Sequence, residues 1–132
     1  MIGLDTNILV RFLVADDEQQ ADSAKRLLQE RCTAETPGFV NLIVLCELVW
    51  TLDRAYGFGQ NEIAEAVDAI LGDRNLRIES PQQVASALRS FRAKRADFAD
   101  ALIAQINSAH SCEATATFDR KAAQLDGFVL VR

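Results

Sequence analysis

The chain has only one histidine, His110, among its 132 residues. A ribonuclease that moves protons between two histidines is therefore excluded, and no Ser-His-Asp set is evident. We expect a structural role for His110, because it lies near the end of an amphipathic helical pattern. The sequence also lacks a Walker loop, since Gly57-Phe-Gly59 follows a helical segment and is typical of a helix terminator.

Cysteine is scarce as well. Cys32, Cys46 and Cys112 are odd in number and widely spaced. This arrangement offers neither a disulfide framework nor the ligand spacing of a zinc site. We therefore expect three buried thiols.

Long apolar runs are absent, and no basic segment precedes an apolar one near the start of the chain. We accordingly expect a cytoplasmic protein that does not enter a membrane. The length of 132 residues, with 49% hydrophobic and 25% charged residues, predicts one domain over residues 1–132. The net charge of −5 argues against a protein that coats nucleic acid. It does not exclude a nuclease whose carboxylates bind metal, because the metal charge is left out of that count.

The hydrophobic pattern predicts short strands that alternate with helices. Strands are predicted at 2–5, 76–78, 114–117 and 128–131. Helices are predicted at 6–13, from 16 or 17 onward, at 41–56, 61–71, 81–93, 97–110 and 120–125, with a break at Pro37-Gly38. This order predicts a mostly parallel α/β sandwich, in which sites form beyond the carboxyl ends of the strands.

Acidic residues lie in or beside apolar segments at four places, namely Asp5, Glu47, Asp100 and Asp119. Carboxylates in such places are costly unless they are paired, hydrogen-bonded or bound to a cation. If the fold gathers them, they form a site for Mg²⁺ or Mn²⁺, and metal-assisted hydrolysis follows.

Each acid also has a simpler interpretation. Asp5 and Asp119 can each cap the helix that follows, and Asp97 can cap the helix that contains Asp100. Asp97 is therefore only an accessory candidate, whereas Asp100 lies deeper among apolar residues. Glu47 belongs to a helix so apolar that we expect burial on several sides, although a narrow polar stripe with Thr51 and Arg54 is the alternative.

Further polar residues accompany the acids. Thr6, Asn7 and Thr117 are accessory candidates that could orient a carboxylate or a bound water. The candidate contacts for substrate phosphates are Arg11, Arg92, Lys94, Arg95, Arg120 and Lys121. For most of these cations a solvated helix face is the stronger interpretation.

Together, these motifs resemble the PIN-domain family, and within it the VapC-type toxins of bacterial type II toxin–antitoxin pairs. The matching segments are Gly-Leu-Asp-Thr-Asn at 3–7, Leu-Cys-Glu-Leu-Val-Trp at 45–50, Asp-Phe-Ala-Asp-Ala-Leu-Ile-Ala at 97–104 and Ala-Thr-Phe-Asp-Arg-Lys-Ala at 116–122. The resemblance implies a three-layer fold, a mostly parallel central sheet with helices on both faces. It also implies Mg²⁺- or Mn²⁺-dependent endoribonuclease activity, with Asp5, Glu47, Asp100 and Asp119 as catalytic acids. A homodimer and a VapB-like antitoxin that occludes the site are implied too.

Our hypothesis is that Asp5 and Asp100 hold the main metal ion and that Glu47 and Asp119 complete the cluster. The metal would lower the pKa of a water that attacks the phosphodiester of RNA. Two alternatives stay open. A phosphoacceptor signalling domain needs an Asp at the end of its middle strand, and the strand at 76–78 is followed by Glu79-Ser80 instead. The second alternative is a non-catalytic protein-interaction module, in which the acids serve as caps.

Overall fold

The computed structural model describes residues 1–93 and 96–132. The chain forms two compact units, residues 1–79 and 80–132. The first contains β1 (Ile2–Gly3), α1 (Thr6–Leu13), α2 (Glu18–Arg31), β2 (Gly38–Val40), α3 (Leu42–Arg54), α4 (Gln60–Gly72) and β3 (Leu76–Ile78). The second contains α5 (Pro81–Arg92), α6 (Phe98–Ala109), β4 (Thr115–Thr117), a short 3-10 helix (Ala122–Gln124) and β5 (Phe128–Leu130).

The first unit is built on a parallel sheet in the order β1-β2-β3. The central strand, β2, was not predicted, because Pro37-Gly38 was interpreted only as a break. Proline followed by glycine is typical of a turn, and this pair hid a strand that begins at Gly38 itself. Its neighbours identify it in the structure, since the amide of Leu4 donates to the carbonyl of Phe39 at 2.9 Å and the amide of Glu79 donates to that of Val40 at 2.9 Å.

Close packing explains the glycine at the start of β2. A Cβ at Gly38 would lie 2.8 Å from the Cys32 sulfur and 2.9 Å from a methyl carbon of Leu4. Those distances are well inside van der Waals contact, so a larger residue would displace its neighbours. Gly38 therefore lets β2 lie close to both Cys32 and Leu4.

The core of the first unit comes mainly from one side of α3. Leu45, Leu48 and Leu52 are completely buried there, and they repeat at the three- and four-residue spacing of a helix face. Val40 of β2 and Val67 of α4 are equally buried. Asn41 begins α3, since its side-chain oxygen accepts a hydrogen bond from the amide of Val44 at 2.9 Å.

The second unit packs α5 against α6. The rings of Phe91 and Phe98 meet edge to face, with centroids 6.2 Å apart and planes at 89°. Val84 of α5 and Leu102 of α6 are also buried in this unit. Two parallel strands, β4 and β5, complete the unit, with Thr115 opposite Phe128 and Thr117 opposite Leu130.

The predicted α/β class is confirmed, and all strand pairs in residues 1–93 and 96–132 are parallel. The strands pair as a three-stranded sheet in the first unit and a two-stranded sheet in the second, each beside helices of its own unit. The expectation of one domain over residues 1–132 stays a prediction. No helix in the described parts of the chain is long and apolar enough to cross a membrane.

Two predictions about scarce residues have mixed outcomes. Cys32 is buried as expected, but Cys46 is only half-buried and Cys112 is exposed, so the prediction of three buried thiols was wrong. Burial raises the pKa of the Cys32 thiol. His110 is exposed and ends α6, with its Nδ1 atom 3.0 Å from the carbonyl oxygen of Ile106. That contact gives it a local structural role.

Candidate functional site

Asp5 lies between the end of β1 and the start of α1. Its Oδ1 atom accepts a hydrogen bond from the amide of Thr6 at 2.7 Å, so it caps α1 as the cap interpretation predicted. The residue is exposed to solvent. The cap fixes the carboxylate at the carboxyl end of a parallel strand, which is where α/β folds build their sites.

Glu47 projects from α3 toward the start of α1. The hydroxyl of Thr6 donates to its Oε1 atom at 3.1 Å, which brings Asp5, Thr6 and Glu47 together in the first unit. The expected burial of Glu47 was wrong, because its side chain is exposed. The reason is that α3 leaves apolar residues in solvent too, with Ile43 73% and Trp50 61% exposed. An apolar helix therefore did not imply burial on all sides.

Glu79 lies at the carboxyl end of the three-stranded sheet, and the sequence did not predict its contact with α3. It follows β3, and its Oε1 atom accepts a hydrogen bond from the amide of Leu42 at 2.9 Å. Asp5, Asn41 and Glu79 thus follow β1, β2 and β3 in turn, and all three side chains cap helices. A polar residue one or two positions after each short strand was the signal in the sequence.

Asp97 and Asp100 begin α6 in the second unit. Asp97 Oδ1 accepts hydrogen bonds from the amides of Ala99 at 2.8 Å and Asp100 at 3.3 Å, which agrees with its interpretation as a cap. Asp100 is half-buried in the first turn. Burial raises the pKa of Asp100, and the negative charges of Asp97 and Asp119 raise it further.

Asp119 follows β4 and begins the 3-10 helix. Its Oδ1 atom accepts hydrogen bonds from the amides of Lys121 at 2.8 Å and Ala122 at 3.3 Å. The hydroxyl of Thr117 in turn accepts a hydrogen bond from the amide of Asp119 at 3.0 Å. Thr117 therefore orients the backbone of Asp119, and its predicted accessory role toward the carboxylate or a bound water stays a prediction.

The second unit thus holds Asp97, Asp100 and Asp119 near enough for their charges to interact. Repulsion of this kind favours protonation or the binding of a cation. In the side-chain positions of residues 1–93 and 96–132, however, no three His, Cys, Asp or Glu residues are grouped closely enough to hold a metal ion. The donors are all carboxylate oxygens, which is the ligand type that Mg²⁺ and Mn²⁺ prefer.

The predicted basic contacts differ in their surroundings. Arg11 is already hydrogen-bonded to Asp16, Gln20 and Tyr56. Arg120 and Lys121 are exposed directly after Asp119, and Arg92 is exposed at the end of α5. Lys94 and Arg95 lie outside the described residues. Asn7 is exposed and lines an open groove of about 580 Å³ with Ile8, Arg11, Gln20, Ser23, Ala24 and Leu27.

Comparison with known proteins relates the chain to one family. The family model described as PIN domain matches residues 2–127. The chain is also similar to a VapC ribonuclease of Aquifex aeolicus (strain VF5), with 27% identity over 99 residues. That alignment covers 75% of this chain and 73% of the relative.

Proposed function

The chain belongs to the PIN domain family, and we propose that it is a metal-dependent endoribonuclease that acts as the toxin of a type II toxin–antitoxin pair. Its similarity to a VapC ribonuclease supports this proposal. The acids that we propose for the metal are Asp5, Glu47, Asp100 and Asp119, and the metal is Mg²⁺ or Mn²⁺. The substrate is RNA.

The observation that carries this proposal is the electrostatic state of Asp100. Its pKa is raised by burial and by the charges of Asp97 and Asp119. A half-buried carboxylate next to two other acids is unfavourable by itself, and a hard divalent cation relieves both costs. The residues therefore fit a magnesium or manganese ion in charge and in ligand type.

The protein's own residues would act in distinct ways. Asp5 is fixed by its cap, and Thr6 holds Glu47, so these two acids are oriented before any ligand arrives. Asp97 and Thr117 support Asp100 and Asp119 through backbone hydrogen bonds. A bound Mg²⁺ or Mn²⁺ would lower the pKa of a water and neutralise charge on the scissile phosphate. Arg120 and Lys121 stand next to Asp119 and are proposed contacts for the RNA backbone.

A partner protein is the second part of the proposal. Ile43 and Trp50 of α3 are 73% and 61% exposed, on the same helix as Glu47. Large apolar side chains in solvent support a protein contact, because their burial is favourable. We propose that the chain forms a homodimer and that a VapB-like antitoxin inhibits it.

No observation favours a phosphoacceptor domain. The middle strand of the three-stranded sheet is β2, so the strand at 76–78 is not the one to consider. Asn41 follows β2, and an amide cannot accept a phosphoryl group as an Asp carboxylate does.

The proposal is tested by RNA cleavage with purified protein. Wild type should cleave single-stranded RNA when Mn²⁺ is added and should stop when EDTA removes it. Asp5→Asn and Asp100→Asn should each lower the rate by at least about a hundredfold, because each removes charge from the metal site. Circular dichroism should show that both variants stay folded.

A matched control is Asp22→Asn, which changes the same group on the exposed surface of α2. It should cleave RNA at the wild-type rate. The proposal would be wrong if wild-type cleavage persisted in EDTA, or if Asp5→Asn and Asp100→Asn were as active as the control.

A further inference from the structure

Three polar side chains form a closed hydrogen-bonded triangle and a fourth is bonded to it, and we call the four the Arg11 cluster (Arg11, Asp16, Gln20 and Tyr56). Arg11 Nη1 donates to Asp16 Oδ1 at 2.9 Å and to the Tyr56 hydroxyl at 3.2 Å. The Tyr56 hydroxyl donates to the other oxygen of Asp16 at 3.2 Å. Arg11 Nε donates to Gln20 Oε1 at 2.5 Å. Each hydrogen bond of the triangle of Arg11, Asp16 and Tyr56 thus supports the other two.

The members come from separate elements of the first unit. Arg11 is in the last turn of α1, Asp16 lies in the loop before α2, and Gln20 is in the first turns of α2. Tyr56 lies just after the end of α3. The Arg11 cluster therefore ties α1 to α3 and includes the loop that leaves α1.

A second contact joins the same two helices at their other end. There the hydroxyl of Thr6 in α1 donates to Glu47 in α3. Thr6 and Arg11 are about 7.5 Å apart along the axis of α1, at 1.5 Å per residue. The buried side chains of Leu9 and Val10 also pack α1 into the unit, and the two polar contacts link it to α3 at both ends.

We infer that the Arg11 cluster positions the carboxylates of Asp5 and Glu47. This inference rests on the proposed function, in which those two acids bind the metal. Asp5 caps α1 and Glu47 projects from α3, so the relative placement of the two helices sets the placement of both acids. Arg11 is accordingly a positioning residue, and its predicted role in binding phosphate is replaced.

The charge of Arg11 agrees with this role. Its guanidinium is already paired with the Asp16 carboxylate, and its side chain is only 29% exposed. To bind an RNA phosphate, it would have to give up a charge-assisted hydrogen bond and its contact with Tyr56. Arg120 and Lys121 are exposed, and within residues 1–93 and 96–132 neither side chain forms an ion pair of this kind.

The decisive variant is Tyr56→Phe, which removes one hydroxyl and keeps the ring. It should lower kcat for RNA cleavage by about tenfold and leave KM within about twofold, because misplaced catalytic acids slow the reaction without weakening substrate binding. In the metal-free protein, nuclear Overhauser contacts between Thr6 and Glu47 should weaken. A residue that only stabilises the fold would not alter that local contact. Thr33→Val is the matched control, because it removes a hydroxyl hydrogen-bonded to Thr36 in the loop after α2.

Asp16→Asn provides a second variant if Tyr56→Phe proves unstable, since it weakens the cluster without removing a side chain. Unchanged kcat and unchanged Thr6–Glu47 contacts in the folded variants would overturn the inference. So would a raised KM in Arg11→Gln together with normal kinetics in Tyr56→Phe, because that pattern belongs to a phosphate contact. If wild type cleaves no RNA, the proposed function fails, and the magnetic-resonance contacts still decide whether the cluster positions Glu47.

Discussion

Thr6 links two of the proposed metal-binding acids at the scale of single residues. Its amide donates to Asp5 and its hydroxyl donates to Glu47, so one residue orients both carboxylates. The sequence predicted the cap and named Thr6 as an accessory residue. It did not predict the Glu47 contact, because 41 residues separate the partners along the chain.

The hydroxyl of Thr6 can be tested with two substitutions of similar size. Thr6→Val keeps the branched shape and removes the donor, and it should lower the rate of RNA cleavage by about tenfold, since a hydrogen bond to a charged group is lost. Thr6→Ser keeps the donor and should stay within about threefold of wild type. Equal rates for the two variants would show that the Thr6 hydroxyl does not contribute to cleavage.

Asp100 gives a prediction about pH. Its pKa is raised in the folded protein by burial, Asp97 and Asp119. The folded state therefore binds this proton more tightly than the unfolded state, so stability falls as pH rises from the unfolded pKa to the folded one and stays lower above it. In EDTA at neutral pH, Asp100→Asn should raise Tm, because the repelled charge is gone.

The control for this effect is acid pH. Below the unfolded pKa, wild type carries a protonated Asp100, and the difference in Tm between wild type and Asp100→Asn should vanish. Thermal unfolding followed by circular dichroism at several pH values measures the Tm of wild type and of Asp100→Asn. A stabilisation that is the same at every pH would show that charge is not its cause.

At the scale of elements, the helices were the more predictable part of the fold. The patterns at 6–13 and 97–110 foretold α1 and α6, because several turns of helix repeat the same apolar spacing. β2 escaped prediction, since it begins at Gly38 directly after Pro37, and that pair is typical of a turn. The division of the strands into a three-stranded and a two-stranded sheet was not predictable either. It depends on contacts between residues far apart in the sequence, which no local pattern contains.

Gly38 tests the placement of β2. Gly38→Ala should lower the free energy of unfolding by about 1 to 3 kcal/mol, because its Cβ meets the Cys32 sulfur at 2.8 Å and Leu4 at 2.9 Å. Urea titration measures this value directly.

Gly72→Ala is the matched control for this substitution. Apart from its chain neighbours and the backbone of its own helix, a Cβ at Gly72 has no heavy atom of the described residues within 4 Å, so the change should cost less than about 0.5 kcal/mol. Equal stability of the two variants would mean that β2 does not approach Cys32 and Leu4 as closely as described.

At the scale of the whole molecule, the candidate acids were predictable from sequence because each stands beside a strand end or inside an apolar segment. Their supports were not. The Thr6–Glu47 bond, the Arg11 cluster and the Glu79 cap all join residues that lie far apart in the chain or show no distinctive pattern. Glu47 also shows that composition misleads, since the helix around it is apolar but exposes Ile43 and Trp50.

The central claim is that carboxylates of this PIN domain bind a divalent metal that RNA cleavage requires. Its most direct test is a Mn²⁺ titration of EDTA-treated protein, dialysed free of chelator, with heat and RNA cleavage followed at the same concentrations. We predict saturable heat and cleavage that rise together in wild type, and the loss of both in Asp100→Asn. Cleavage without added metal, or no specific heat in a wild type that cleaves RNA, would contradict the account.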